Sequence, residues 1–391
     1  MKVRGKLQLT IYILGFLGAA LFTLLLIRQG AGSVGSAVAA AGWGIAAVAL
    51  FHFVPIFLDS LSWWVLFPRA DRPRWQSLFW MRWIGESISN LVPSAAVGGD
   101  IVRARLAAVS GAPMVTSAAT VIVDITLGIF TQVAFTLLGL ILFVNATGRT
   151  GFLRPTLIGS LLGVAAAAGF YFAQRLGMFR FVGVIITRLV KAPEWQSLVQ
   201  RGEALDQTVR EIYARRRACM ICCFWTMLSL LSSSGEIWIA LRALGMPATF
   251  AHALILQSMA MTVRSVAFPV PGALGVQESG FLVVGSALGI PGEMAFAISL
   301  IARVRDLAVG IPALLTWQIF EGRRFWRARV SRARRAAACA PRPAADAASP
   351  GKGALACRRS RGAPRCRPKV DGVADGIRTH DNRNHNPGLY R

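Results

Sequence analysis

Leu91-Val92-Pro93-Ser94-Ala95-Ala96-Val97-Gly98-Gly99-Asp100 interrupts one apolar stretch of this chain. Phe268-Pro269-Val270-Pro271-Gly272-Ala273-Leu274-Gly275-Val276-Gln277-Glu278 interrupts another. Each reads Val-Pro, a small residue and Ala, then Gly, then an acid. Proline removes a backbone donor and clashes with the preceding turn, so a helix stops or kinks there. At membrane depth the freed peptide groups are tolerated only inside protein or beside a water-filled cavity. Two such breaks, one in each half, mark the site of a transporter.

The surrounding sequence is that of a membrane protein. The chain is 54% hydrophobic with a mean hydropathy of +0.53, and several apolar runs approach the ~20 residues that cross a bilayer. Spans are predicted at 7–27, 43–67, 117–144, 152–173, 218–241, 252–268 and 296–320, with a further short apolar piece at 281–290. The expected fold is all-α, a polytopic bundle of about six to eight transmembrane helices with two Pro/Gly-broken, re-entrant segments. The first span is long and is followed by Arg28-Gln29-Gly30, a poor cleavage context, so it reads as retained rather than as a signal peptide. Lys2, Arg4 and Lys6, then Arg69, Arg72 and Arg74, then the segment 174–217 with Arg215-Arg216-Arg217, then Arg323, Arg324, Arg327 and Arg329 fall on one side. The excess of Lys and Arg in cytoplasmic loops sets both termini in the cytoplasm and makes the number of crossings even.

The net charge of +25 is spread as topology requires, with attraction to anionic headgroups as an added role. No basic-aromatic module for nucleic acid is recognisable. Residues 1–325 read as one transmembrane domain, with 174–217 as a cytoplasmic basic segment. Residues 336–391 read as a disordered basic tail, rich in Ala, Pro, Arg and Cys without periodicity. Residues 321–391 carry 18 Lys and Arg against 5 Asp and Glu, so about half of the net charge sits there. The stretch 376–391 resembles translated transfer-RNA gene sequence and reads as read-through, so His380 and His385 are not taken as metal ligands. Cys219, Cys222 and Cys223 open a span as small packing residues, with no second cysteine pair to complete a metal site. His52 and His252 have no acidic residue near them in sequence and read as packing histidines.

Ionisable residues inside spans are costly, by roughly 2.5–3.5 kcal/mol each, and here they form stripes. Arg82, Glu86 and Asn90 share a helix face leading into Pro93. Asp100 and Arg103 open the helix after Gly98 and Gly99. Asp124 lies on a polar face with Thr120, Gly128 and Gln132, and Glu236 on one with Ser229, Ser232 and Ser233. Gln257 and Arg264 precede Pro271 and Gly275, and Glu278 follows them. Arg303 and Asp306 share a face of the last span, while Arg305 falls off it. Each has a structural reading as well: Asp100 and Glu278 can cap helices, and Arg82–Glu86 and Arg303–Asp306 can be ion pairs within a helix. Together they read as a polar cavity. Arg103, Arg264 and Arg303 beside a helix N-terminus suit an anion. Asp124, Glu236 and Glu278 can bind a cationic headgroup, accept from hydroxyls or carry protons.

The stretch Gly85-Glu86-Ser87-Ile88-Ser89-Asn90-Leu91-Val92-Pro93 through Gly98-Gly99-Asp100-Ile101-Val102-Arg103 resembles the signature of the flippase-like transmembrane domain known as the lysylphosphatidylglycerol synthase transmembrane region. Asp124 sits where that family tends to carry an acid. The second break, with Ile301-Ala302-Arg303-Val304-Arg305-Asp306-Leu307 beyond it, is similar to the HpnL branch, whose members are associated with hopanoid biosynthesis. The resemblance covers residues 5–325. It departs from the pattern at Ser89, Ser94 and Ala95. It implies a multi-pass protein of the bacterial inner membrane that moves a hopanoid or phospholipid, without cofactor or covalent chemistry. Partners in hopanoid synthesis or transport are implied too. Residues 174–217 and the tail cannot build the aminoacyl-transferase domain that lysylphosphatidylglycerol synthesis requires. Two other classes stay open: an intramembrane lipid-modifying enzyme with Asp124 and Glu236 as acid and base, and a scaffold for biosynthetic enzymes. No ATP-binding loop is present, so movement is passive, ion-coupled or driven by a partner.

Overall fold

The computed structural model describes residues 41–91, 97–148, 150–151, 153–181, 196–266 and 275–339, with isolated positions between 23 and 39. The predicted first span, Pro93, Pro271 and the tail beyond 339 lie outside the described residues. The chain divides after Ser331, and every contact below lies before that point.

The described residues form eleven α-helices: α1 Trp43–Phe51, α2 Phe53–Leu66, α3 Trp75–Leu91, α4 Val97–Val109, α5 Met114–Thr147, α6 Leu153–Arg175, α7 Gln196–Ala214, α8 Arg216–Ala243, α9 Phe250–Val266, α10 Val276–Ala287 and α11 Gly292–Cys339. The fold is therefore the expected all-α membrane bundle. Four helical stretches are long and apolar enough to cross a bilayer, at Trp43–Leu66, Met114–Thr147, Thr156–Arg175 and Arg216–Ala243. The other predicted crossings fall on α9, 17 residues with Arg264 in its last turn, and on α11. Helix α11 runs to Cys339, so the first residues assigned to the disordered tail are helical.

Each broken segment is flanked by two helices that pack on each other: α3 on α4, and α9 on α10. The first pair is held by glycine. A Cβ on Gly99 would lie 1.9 Å from the Gly85 carbonyl oxygen, so the two backbones touch where neither residue has a side chain. Helix α4 starts at Val97. Gly98 and Gly99 thus lie inside its first turn rather than before it, and Gly99 serves packing. In the second pair Gly275, at φ 77°, turns the chain into α10; a left-handed backbone there suits a residue without Cβ.

Among the described residues four apolar cores result, and the two largest surround the helix pairs. Trp63, Phe67, Leu78, Met81, Ile84, Leu106 and Val121 fill the first, around the α3–α4 pair. Leu140, Phe143, Ile237, Leu256, Phe281 and Ile298 belong to the second, around α9–α10. Both draw on α5 and α11: Val121 and Ala313 serve the first core, Phe143 and Ala295 the second. In lipid, apolar burial does not favour protein over solvent as it does in water, so close packing and polar contacts must hold the helices together. The outward faces of α6, at Ile158, Leu161 and Leu162, are exposed and apolar, as lipid contact requires. Basic loop residues hold helix ends: Arg215 donates to the Leu66 carbonyl, and Arg72 to that of Phe67 at 3.2 Å. Both satisfy carbonyls orphaned at the C-terminus of α2.

Candidate functional site

The polar stripes meet in two ionic networks and a separate Glu278–Arg303 pair. In the first, Arg82 on α3 donates Nη1 to Asp124 Oδ2 on α5 at 2.9 Å and Nη2 to Asp59 Oδ2 on α2 at 2.9 Å. Arg103 on α4 donates Nη1 to the same Asp124 oxygen at 2.6 Å and Nε to Asp100 at 2.9 Å. Its guanidinium lies 5.1 Å from the Trp63 ring, an attractive cation–π distance. Ser62 Oγ lies 3.4 Å from Asp124 Oδ1. The Asp124 carboxylate thus joins α3 and α4 to the long α5. Cys222 Sγ is 4.0 Å from the same oxygen, and Cys219, Cys222 and Cys223 are free thiols.

The second network joins the halves, from Glu86 and His52 to Glu236, Arg305 and Asp306. Glu236 on α8 accepts from Arg305 on α11, and Arg305 Nη2 donates to Asp306 at 2.7 Å. His52 stands between two acids: Nδ1 is 2.9 Å from Glu236 Oε1 and Nε2 is 3.3 Å from Glu86 Oε1. Glu278, fully buried in the first turn of α10, meets Arg303: Nε and Nη2 lie 3.2 and 3.1 Å from its Oε1. Its Oε2 has no hydrogen-bond partner among the described residues; the same holds for Gln277 Oε1 and Arg305 Nε. Such buried, unspent groups call for an explanation. Gln257 donates to Ser233 at 3.1 Å.

A further contact ties the two halves. Arg264 Nη2, in the last turn of α9, donates to Asn90 Oδ1, in the last turn of α3, at 2.6 Å. The helices entering both broken segments therefore abut.

Several expectations are corrected. Arg305 does not point away: it binds Glu236 and Asp306, because α11 is packed by neighbours on more than one side. Asp306 consequently pairs with Arg305, and Arg303 with Glu278, rather than with each other. Arg82 reaches Asp59 and Asp124 on neighbouring helices rather than Glu86 on its own. Glu278 makes no side-chain cap on α10, since Arg303 takes it. His52 has two acidic neighbours, brought by α3 and α8. His252, by contrast, accepts locally from the Thr249 N–H at 3.3 Å. Asp59 was not foreseen at all, and His52 was read only as a packing residue. Asp59 lies in the apolar run Phe53–Leu66, and an acid there is signal enough. The role of His52 has a fainter signal, Pro55. A proline ring at that position clashes with the carbonyl four residues earlier, and the α1–α2 helix is interrupted at His52.

No curated protein and no solved structure matches the chain. A family model described as the lysylphosphatidylglycerol synthase TM region matches residues 12–313, a span that includes both networks and both broken segments. The chain belongs to that family, as a multi-pass membrane protein with a role tied to membrane lipid.

Proposed function

We propose that the protein translocates a lipid across or out of the bacterial inner membrane, without covalent chemistry, and that the lipid is a hopanoid. The observation that carries this reading is the Asn90–Arg264 contact between the two helices that enter the broken segments. It joins the helices that carry Glu86 and Arg264, and Glu278, on the helix after the second broken segment, keeps an unspent oxygen. A polar head can exchange hydrogen bonds there while its tail stays in the bilayer. Arg82, Arg103, Arg264 and Arg303 offer donors to an anionic or hydroxylated head; Glu86, Asp100, Asp124, Glu236, Glu278 and Asp306 offer acceptors. The likeness of the second broken segment to the HpnL branch supports a hopanoid over a phospholipid. Both termini are assigned to the cytoplasm from the placement of Lys and Arg.

The test is the hopanoid content of inner and outer membranes in a deletion strain, alongside headgroup accessibility in liposomes holding the purified protein. The expected result is hopanoid retained in the inner membrane of the deletion strain. Unchanged delivery to the outer membrane sinks the hopanoid assignment. Accumulation of an unmodified precursor instead favours an enzyme.

A further inference from the structure

The second network holds a proton that the lipid reading leaves unused. A neutral imidazole has one N–H; its other nitrogen carries a lone pair. His52 turns one nitrogen to Glu236 at 2.9 Å and the other to Glu86 at 3.3 Å. With both carboxylates ionised and the ring neutral, one of these contacts sets a lone pair against an anion. Both are attractive only when the triad carries one more proton, on the ring or on a carboxyl.

The surroundings make that proton consequential. His52 is 7% exposed and Glu236 1%, whereas the Glu86 side chain is 29% exposed. One acid of the triad is sealed and the other is partly open. Arg305 on α11 holds Glu236 from the far side and is itself held by Asp306. One turn from Glu86 on α3, Arg82 is occupied by Asp59 of α2 and Asp124 of α5. Arg264 on α9 and Arg305 on α11 also lie within electrostatic reach of Glu86, but among the described residues the basic group in direct contact with it is His52. Glu86 stands one helical turn before Asn90, the residue that ties α3 to α9. Loss of the proton removes the attraction between His52 and Glu86.

We propose that His52, Glu86 and Glu236 form a proton-binding site that couples lipid movement to proton transfer, with Glu86 as the accessible entry. The inference rests on the translocation reading for its coupling, but not for the proton site itself. A proton taken up at Glu86 passes to the Nε2 lone pair, so that His52 donates from both nitrogens, and it returns through Glu86, one proton released for each one taken up.

Two measurements on the full chain test it. In lipid nanodiscs, nitrogen NMR of labelled histidine follows the His52 ring, assigned by its disappearance in His52→Gln. Its titration midpoint is expected to move by at least about one pH unit in Glu236→Gln or Glu86→Gln. A midpoint unmoved in both folded variants overturns the proton site. In liposomes carrying a fluorescent hopanoid or phospholipid, lipid movement is followed with and without an imposed pH gradient. The gradient is expected to change the wild-type rate about tenfold, equivalent to ~1.4 kcal/mol, and His52→Gln is expected to lose that ratio. Movement indifferent to the gradient in wild type overturns the coupling while the lipid reading stands. No movement of any lipid, with the midpoint shifted, overturns translocation and supports the proton site.

Discussion

A single carboxylate, Asp124, carries the first network. It accepts from Arg82 and Arg103 on two helices. Removing one partner of a buried pair strands the other charge and costs about 3–5 kcal/mol. Asp124→Ala should therefore lower thermal stability in detergent far more than Asp100→Asn, whose carboxylate is 31% exposed and whose loss should cost under about 1 kcal/mol. Size-exclusion recovery after heating reads both. At this scale the sequence was informative about kind and poor about partners. Arg82, Glu86, Asp124, Glu236 and Glu278 stand out because ionisable residues are rare in apolar helices. Their partners were illegible because a helix wheel orders the faces of one helix only. Arg305 lies off the Arg303–Asp306 stripe and still reaches an acid, since α8 approaches α11 from that side.

The two Pro- and Gly-bearing segments fall outside the described residues, and helix elements were legible wherever apolar runs were long, as at α5 and α8. The α3–α4 crossing was not, because Gly99 was read as a helix end when it is a contact. Gly99→Ala drives a Cβ into the Gly85 carbonyl; overpacking of this kind costs about 1–3 kcal/mol. Gly128→Ala meets nothing within 4 Å and should leave stability level or slightly higher, since Ala is the better helix former. Thermal recovery of the two variants side by side separates packing from propensity. Pro93→Ala, Pro271→Ala and Glu278→Gln should each slow lipid movement in liposomes about tenfold, a barrier change of ~1.4 kcal/mol. Membrane insertion, read by extraction and fractionation, should stay intact.

Among the described residues the two largest cores share α5 and α11, and Asn90 and Arg264 join the helices that enter the broken segments. A double-mutant cycle on that pair should give a coupling of about 1.5–3 kcal/mol, the range for a hydrogen bond to a charged group. Additive losses would show that this contact adds nothing to the joining of α3 and α9 beyond their packing. The ordering of partners along the chain also bears on biogenesis. Asp59, Arg82, Arg103 and Asp124 are all synthesised by residue 124, so the first network can close early. Glu86 and His52 wait for Glu236, and Glu236 for Arg305. At 5–20 residues per second, that delay is on the order of ten seconds or more. A ribosome-stalled chain ending after α5 should already resist protease around α3 and α4, while α8 stays open to insertion chaperones until the last helix emerges.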